Sequence, residues 1–256
     1  MIPIFGLVGL FLAAVVAGAI NSVAGGGTLI SFPSLVAFGE PDIVSNATNT
    51  AALWPGSLSS AIGYRKFTHV NRALLTLLIV PSFIGGLLGA VILVVTPESV
   101  FQLVVPFLIL FATTLFAARN FISRKLAMKT TEETVTRSGK IWGFFFQLFV
   151  AAYGGYFGAG IGILMLGSLS VMGLRDVHAM NAIKTPLAAI INVTAFIFFA
   201  LKGLVVWPLA LLMAIGAIIG GYVGARSAKH VKQSYLQALI IIVGLAITAW
   251  FLVRLL

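Results

Sequence analysis

Long apolar runs recur along the whole chain, each ending at a short polar gap. The runs Leu74–Val95, Phe101–Ala118, Ile190–Leu201, Leu209–Val223 and Ala238–Val253 reach or approach the ~20 apolar residues that a spanning helix needs. This pattern predicts an all-α, polytopic membrane protein. Three crossings are expected in each half: 44–64, 73–95 and 99–118, then 178–201, 206–226 and 234–254. The remaining apolar pairs, 3–22 with 28–38 and 141–157 with 163–173, are expected to form re-entrant hairpins with glycine-rich tips. The first run has no basic stretch ahead of it, and Gly25–Gly27 follow it in place of a small-residue cleavage site. It therefore reads as retained structure and not as a signal peptide.

The two halves repeat one another. Ala24-Gly25-Gly26-Gly27-Thr28-Leu29 returns 135 positions later as Ala159-Gly160-Ile161-Gly162-Ile163-Leu164. At the same spacing Asn46-Ala47-Thr48-Asn49-Thr50 meets Asn181-Ala182-Ile183-Lys184-Thr185; further on, and not at that spacing, Ile84–Gly89 resembles Ile215–Gly220. Three blocks in one order predict two related units, 1–118 and 141–256, joined by a polar linker at 119–140.

Charge then sets orientation. The linker carries Arg119, Arg124, Lys125, Lys129, Arg137 and Lys140 against Glu132 and Glu133, so it is expected in the cytoplasm. In the first half Arg65, Lys66 and Arg72 mark one gap and Glu98 the next; in the second half Lys202 stands alone at the first gap, and Arg226, Lys229 and Lys232 mark the second. The basic loop changes place between the halves, as in an inverted repeat with both termini in the periplasm.

Composition narrows the function. Hydrophobic residues make up 60% of the 256 positions and charged residues 9%, where a soluble domain carries about a quarter charged. The net charge of +10 lies in the gaps between apolar runs and not on a soluble face, so it points to the lipid bilayer and away from nucleic acid. With no cysteine, disulfides and thiolate metal sites are excluded, and no cofactor or metal is expected.

The candidate chemistry lies at the breaks. Non-helical backbone at membrane depth is tolerated where it is buried in protein or lines a cavity. Gly25, Gly26, Gly27 and Thr28 form one such break; Gly160 and Gly162 mark the other. Each precedes a short helical run whose positive end can face an anion; the bland reading is close helix packing. Asn46, Asn49 and Thr50 share one helix face, and Asn181, Lys184 and Thr185 repeat that geometry, with Asn192 extending the stripe. Their bland reading is interhelical hydrogen bonding. Lys184 is costlier, since a mid-helix lysine is worth roughly 2.5–3.5 kcal/mol against insertion. All six acidic residues, Glu40, Asp42, Glu98, Glu132, Glu133 and Asp176, fall at gaps, so Lys184 reads as the partner of an anionic ligand. Snorkelling toward the surface is the alternative. No carboxylate relay is expected within the spans, which leaves a substrate-borne proton, passive transport, or titration of Lys184 and His178.

The stretch Gly18–Leu29 with Pro33 and Asn46-Ala47-Thr48-Asn49 resembles the first signature of the TauE/SafE family. Gly154–Gly162 with Ala179–Thr185 is similar to the second, and the resemblance runs nearly the full chain. Two departures stand out: Lys184 replaces the asparagine of the first half, and the second tip lacks three consecutive glycines. The resemblance implies a membrane permease that exports a small oxyanion such as sulfite or an organosulfonate; the two related halves lead to the expectation of alternating access by their rocking or sliding. A passive anion channel shares the same candidate site. An intramembrane enzyme is disfavoured because the spans hold no Ser/His/Asp or His/Glu constellation. The expected partners are a small anionic substrate and the lipid of an inner membrane; a homo-oligomer is compatible with the sequence.

Overall fold

The computed structural model describes residues 4–23, 25–64, 72–127, 137–172, 174, 177–227 and 233–255. The described residues form helices and no strand. In chain order these are α1 (Ile4–Val23), α2 (Thr28–Ala37), α3 (Asp42–Tyr64), α4 (Arg72–Val95), α5 (Glu98–Ala127), α6 (Arg137–Tyr156), α7 (Ile161–Val171), α8 (Val177–Leu201), α9 (Trp207–Ser227) and α10 (Gln233–Arg254). The six expected crossings fall on α3, α4, α5, α8, α9 and α10. Arg65, Lys66, His69, Lys229, His230, Lys232 and the middle of the linker lie outside the described residues.

Six of the described helices, α1, α4, α5, α8, α9 and α10, are long and apolar enough to cross a membrane. Their outward faces carry Phe5, Leu12, Phe83, Ile92, Leu103, Leu211, Ile242 and Val253, all exposed. A surface this apolar is the one a bilayer solvates. Helix α3 is more polar, with Ser45, Asn46, Thr48, Asn49, Ser57 and Ser60 buried along it.

The short helices fold back on their predecessors. A methyl group on Gly6, near the start of α1, would strike the ring of Phe38, just past the end of α2. In the second half a methyl on Gly143, early in α6, would strike Met172 at the end of α7. Each pair is thus a hairpin whose chain leaves beside the end at which it entered. Positive φ angles at Gly25 (82°), Gly158 (84°) and Gly160 (77°) make the turns, a conformation that costs a residue with a side chain ~1–2 kcal/mol.

Packing follows the repeat. Helix α1 lies along α9 and α6 along α4; α3 packs on α9 and α8 on α4; α3 meets α8, and α5 meets α10. Exchanging the halves returns the same set of pairs. Small residues make the seams close. A methyl on Gly216 would fall 2.7 Å from the Phe11 carbonyl, and one on Gly85 would fall 2.5 Å from that of Leu148. Lipid gives little hydrophobic drive for helices to associate, so this backbone contact carries the association.

Candidate functional site

The two glycine tips meet. Gly25 rests against Gly162 so closely that a methyl on Gly25 would overlap the Gly162 backbone. Gly26 lies on the ring of Phe116 and Gly160 on Ala112, both on α5, four residues apart and therefore on one face. Gly27 lies against Ala17 of α1.

Side chains hold the tips in shape. The Gly27 amide donates to Asn21 Oδ1 at 3.0 Å, and Gly25 N–H donates to the Ile20 carbonyl at 3.1 Å, capping α1. Across the site, Tyr153 Oη donates to the Ala159 carbonyl at 2.7 Å. Asn46 Nδ2 donates to the Tyr156 carbonyl at 2.9 Å, so helix α3 of one half grips the hairpin of the other. Gln147 Nε2 donates to Ser82 Oγ at 2.9 Å and ties α6 to α4.

Beside the touching tips, between α3 and α8, lies a small cavity with polar groups in its wall. The tips contribute Gly25, Thr28, Gly158, Ile161 and Gly162. Helix α8 contributes Lys184, Thr185, Ala188 and Asn192; α3 adds Ser57 and Ser60, and α1 adds Asn21. The space open to the centres of water molecules is about 20 Å³. That volume admits one or two waters and excludes a bulky organic ion in this conformation.

Five of the expected site residues line this cavity: Gly25, Thr28, Gly162, Lys184 and Thr185. Lys184 is 1% exposed, so it does not reach the membrane surface. It is the one cation among the lining residues, and no acidic side chain lines the cavity. Thr185 Oγ1 donates to the Asn181 carbonyl at 2.9 Å, and Thr50 Oγ1 repeats this on the Asn46 carbonyl at 2.9 Å. Asn181 is buried, and its Oδ1 has no hydrogen-bond partner among the described residues.

The first-half asparagines have other work. Asn49 Oδ1 accepts from Ser31 Oγ, and its Nδ2 lies 3.5 Å from Thr28 Oγ1, which orients a hydroxyl of the cavity wall. Neither Asn46 nor Asn49 lines the cavity. The Gly27 amide, expected to face a ligand, is taken by Asn21. Sequence reasoning left Asn21, Ser57 and Ser60 out of the site, although Asn21 stands within the first glycine-rich signature.

The family model described as "Sulfite exporter TauE/SafE" matches residues 10–251. The chain is similar to a protein of Sinorhizobium sp. named "Probable membrane transporter protein ORF9", 31% identical over 243 residues, 93% of this chain and 89% of that one. A "Probable membrane transporter protein" of Haemophilus influenzae is 27% identical over 241 residues, covering 94% and 92% of the two chains. The Escherichia coli protein named "Probable membrane transporter protein YfcA" is 29% identical over 245 residues, covering 94% and 87%. No solved structure matches the chain. With the family model spanning almost every described helix, this chain belongs to the TauE/SafE family and is a multi-pass membrane protein of the membrane-transporter type.

Proposed function

We propose that the protein is a secondary transporter that exports a small oxyanion, sulfite or a small organosulfonate, by alternating access around the cavity between its halves. The observation that carries the reading is the burial of Lys184 beside two touching glycine tips. A cation in the wall of a buried cavity that no acidic side chain lines supplies positive charge for an anionic ligand. The positive ends of α2 and α7 add to the same field. Thr28 and Asn192 supply a hydroxyl and an amide donor for orienting oxyanion oxygens.

The exchange-symmetric packing supports two inverted copies. Each hairpin returns to its side of entry, leaving three further helices per half, an odd number that reverses orientation when all three cross. The seams α1–α9 and α4–α6 then join each hairpin to a helix of the other half, forming two bodies that rock about the tips. With room for only one or two waters, the cavity is read as a narrowed state between two openings, and access alternates between its two faces.

Counterflow in proteoliposomes tests the reading. Vesicles loaded with unlabelled sulfite are expected to accumulate labelled sulfite transiently, with saturation. An ohmic current without counterflow would identify a channel instead.

A further inference from the structure

The sequence places Asp42 in a polar gap, yet the structure buries it: its side chain is 1% exposed at the entry of α3, ahead of the crossing expected at 44–64. Oδ1 accepts from Arg254 Nη1 at 2.9 Å, across to the last turn of α10 in the other half. Oδ2 is buried and has no hydrogen-bond partner among the described residues. Beside it lies a cavity lined by Asp42, Gln102, Phe251, Arg254 and Leu255, with about 60 Å³ open to water centres, room for several waters. The Arg254 side chain is 43% exposed, at the end of α10, so the pair opens to the surface of the protein.

We propose that Asp42 is a proton-binding site whose occupancy releases Arg254 and parts the entry of α3 from the end of α10. The bare Oδ2, with its water-sized cavity, is where the proton attaches. Neutralising the carboxylate removes the charge that holds Arg254, and the half-exposed guanidinium then moves to water. The groups facing Asp42 among the described residues are few. Arg254 of α10 favours the charged form. Glu98 of α5 disfavours it, lying close enough that its Oε1 accepts from the Asp42 amide at 2.7 Å and the Ile43 amide at 3.3 Å. Glu40 lies two residues upstream, and α2 carries no charged residue. Burial outweighs the arginine and pushes the Asp42 carboxyl above its ordinary value.

The movement has somewhere to go. Asp42 and Asn46 stand one turn apart on the same face of α3, and Asn46 holds the Tyr156 carbonyl at the root of the second tip. A proton at Asp42 thereby reaches the hairpin of the opposite half through one helical turn. This holds whatever the transported ion is.

Spin labels on cysteines introduced by Pro41→Cys and Val253→Cys, both at exposed positions in a chain without native cysteine, report the separation directly. The full-length protein in lipid nanodiscs is expected to give one short distance at pH 8 and a second, longer population at pH 5. Asp42→Asn and Arg254→Gln are each expected to lose the shift, showing the longer population at both pH values; Asp42→Glu keeps it. A parent distance unchanged between pH 8 and pH 5, or an Asp42→Asn protein that still responds to pH, overturns the proposal. No substrate enters the measurement, so its failure is separate from failure of the transport reading.

Discussion

Gly25 and Gly162, far apart in sequence, meet backbone to backbone where the two glycine tips touch. A side chain at Gly25 would overlap the Gly162 backbone, and Gly25 also requires a positive φ. One hairpin from each half has been brought tip to tip, and the buried lysine stands beside the contact.

Gly25→Ala is therefore expected to disrupt the site. The strained φ costs ~1–2 kcal/mol and the overlap with Gly162 another ~1–3 kcal/mol, together enough to force the tips apart. Substrate binding should fall at least tenfold. Gly9→Ala, where an added methyl meets nothing within 4 Å, should behave as the parent in the same binding assay.

The helix seams give a matched pair of predictions. Gly220 abuts the Val15 carbonyl on the α1–α9 seam, and Gly89 abuts the Ala152 carbonyl on the α4–α6 seam. Gly220→Ala and Gly89→Ala should each lower stability by ~1–3 kcal/mol through overpacking, read as a lower thermal midpoint in detergent. If the halves are structurally equivalent, the two losses will be similar. A large loss in one and none in the other would break the equivalence.

The helices and hairpins were legible in the chain because apolar runs and glycine breaks are strong signals in a membrane protein. Expected crossings such as 73–95 and 178–201 fall on α4 (Arg72–Val95) and α8 (Val177–Leu201). Lys184 was legible too, since a charge in an apolar run has few bland explanations. The division of labour among polar residues was not. Asn46 and Asn49 share a helix face with their neighbours, but which of them meets solvent space depends on Tyr156 and Ser31, brought in by tertiary packing. Ser57 and Ser60 gave no signal because an intrahelical serine ordinarily bonds its own backbone, as both do here. Asp42 misled by position: it starts a helix, yet that start is packed under α10.

Asn21 is expected to be a positioning residue for the first tip. Asn21→Ala leaves the Gly27 amide without its acceptor, a loss of ~1–3 kcal/mol for a buried donor. Asn21→Asp retains the oxygen acceptor but introduces a negative charge at the cavity wall. Binding of sulfite should weaken in both, and only the aspartate variant should recover as pH is lowered. Titration calorimetry across pH separates the two effects.

The most direct test of the central claim is anion binding at Lys184. Purified parent protein should gain thermal stability with sulfite, by about 2.7 kcal/mol at a ligand concentration 100 times Kd, whereas Lys184→Met should fold but show no sulfite-dependent gain. Equal stabilisation of the parent and Lys184→Met by sulfite would contradict the account.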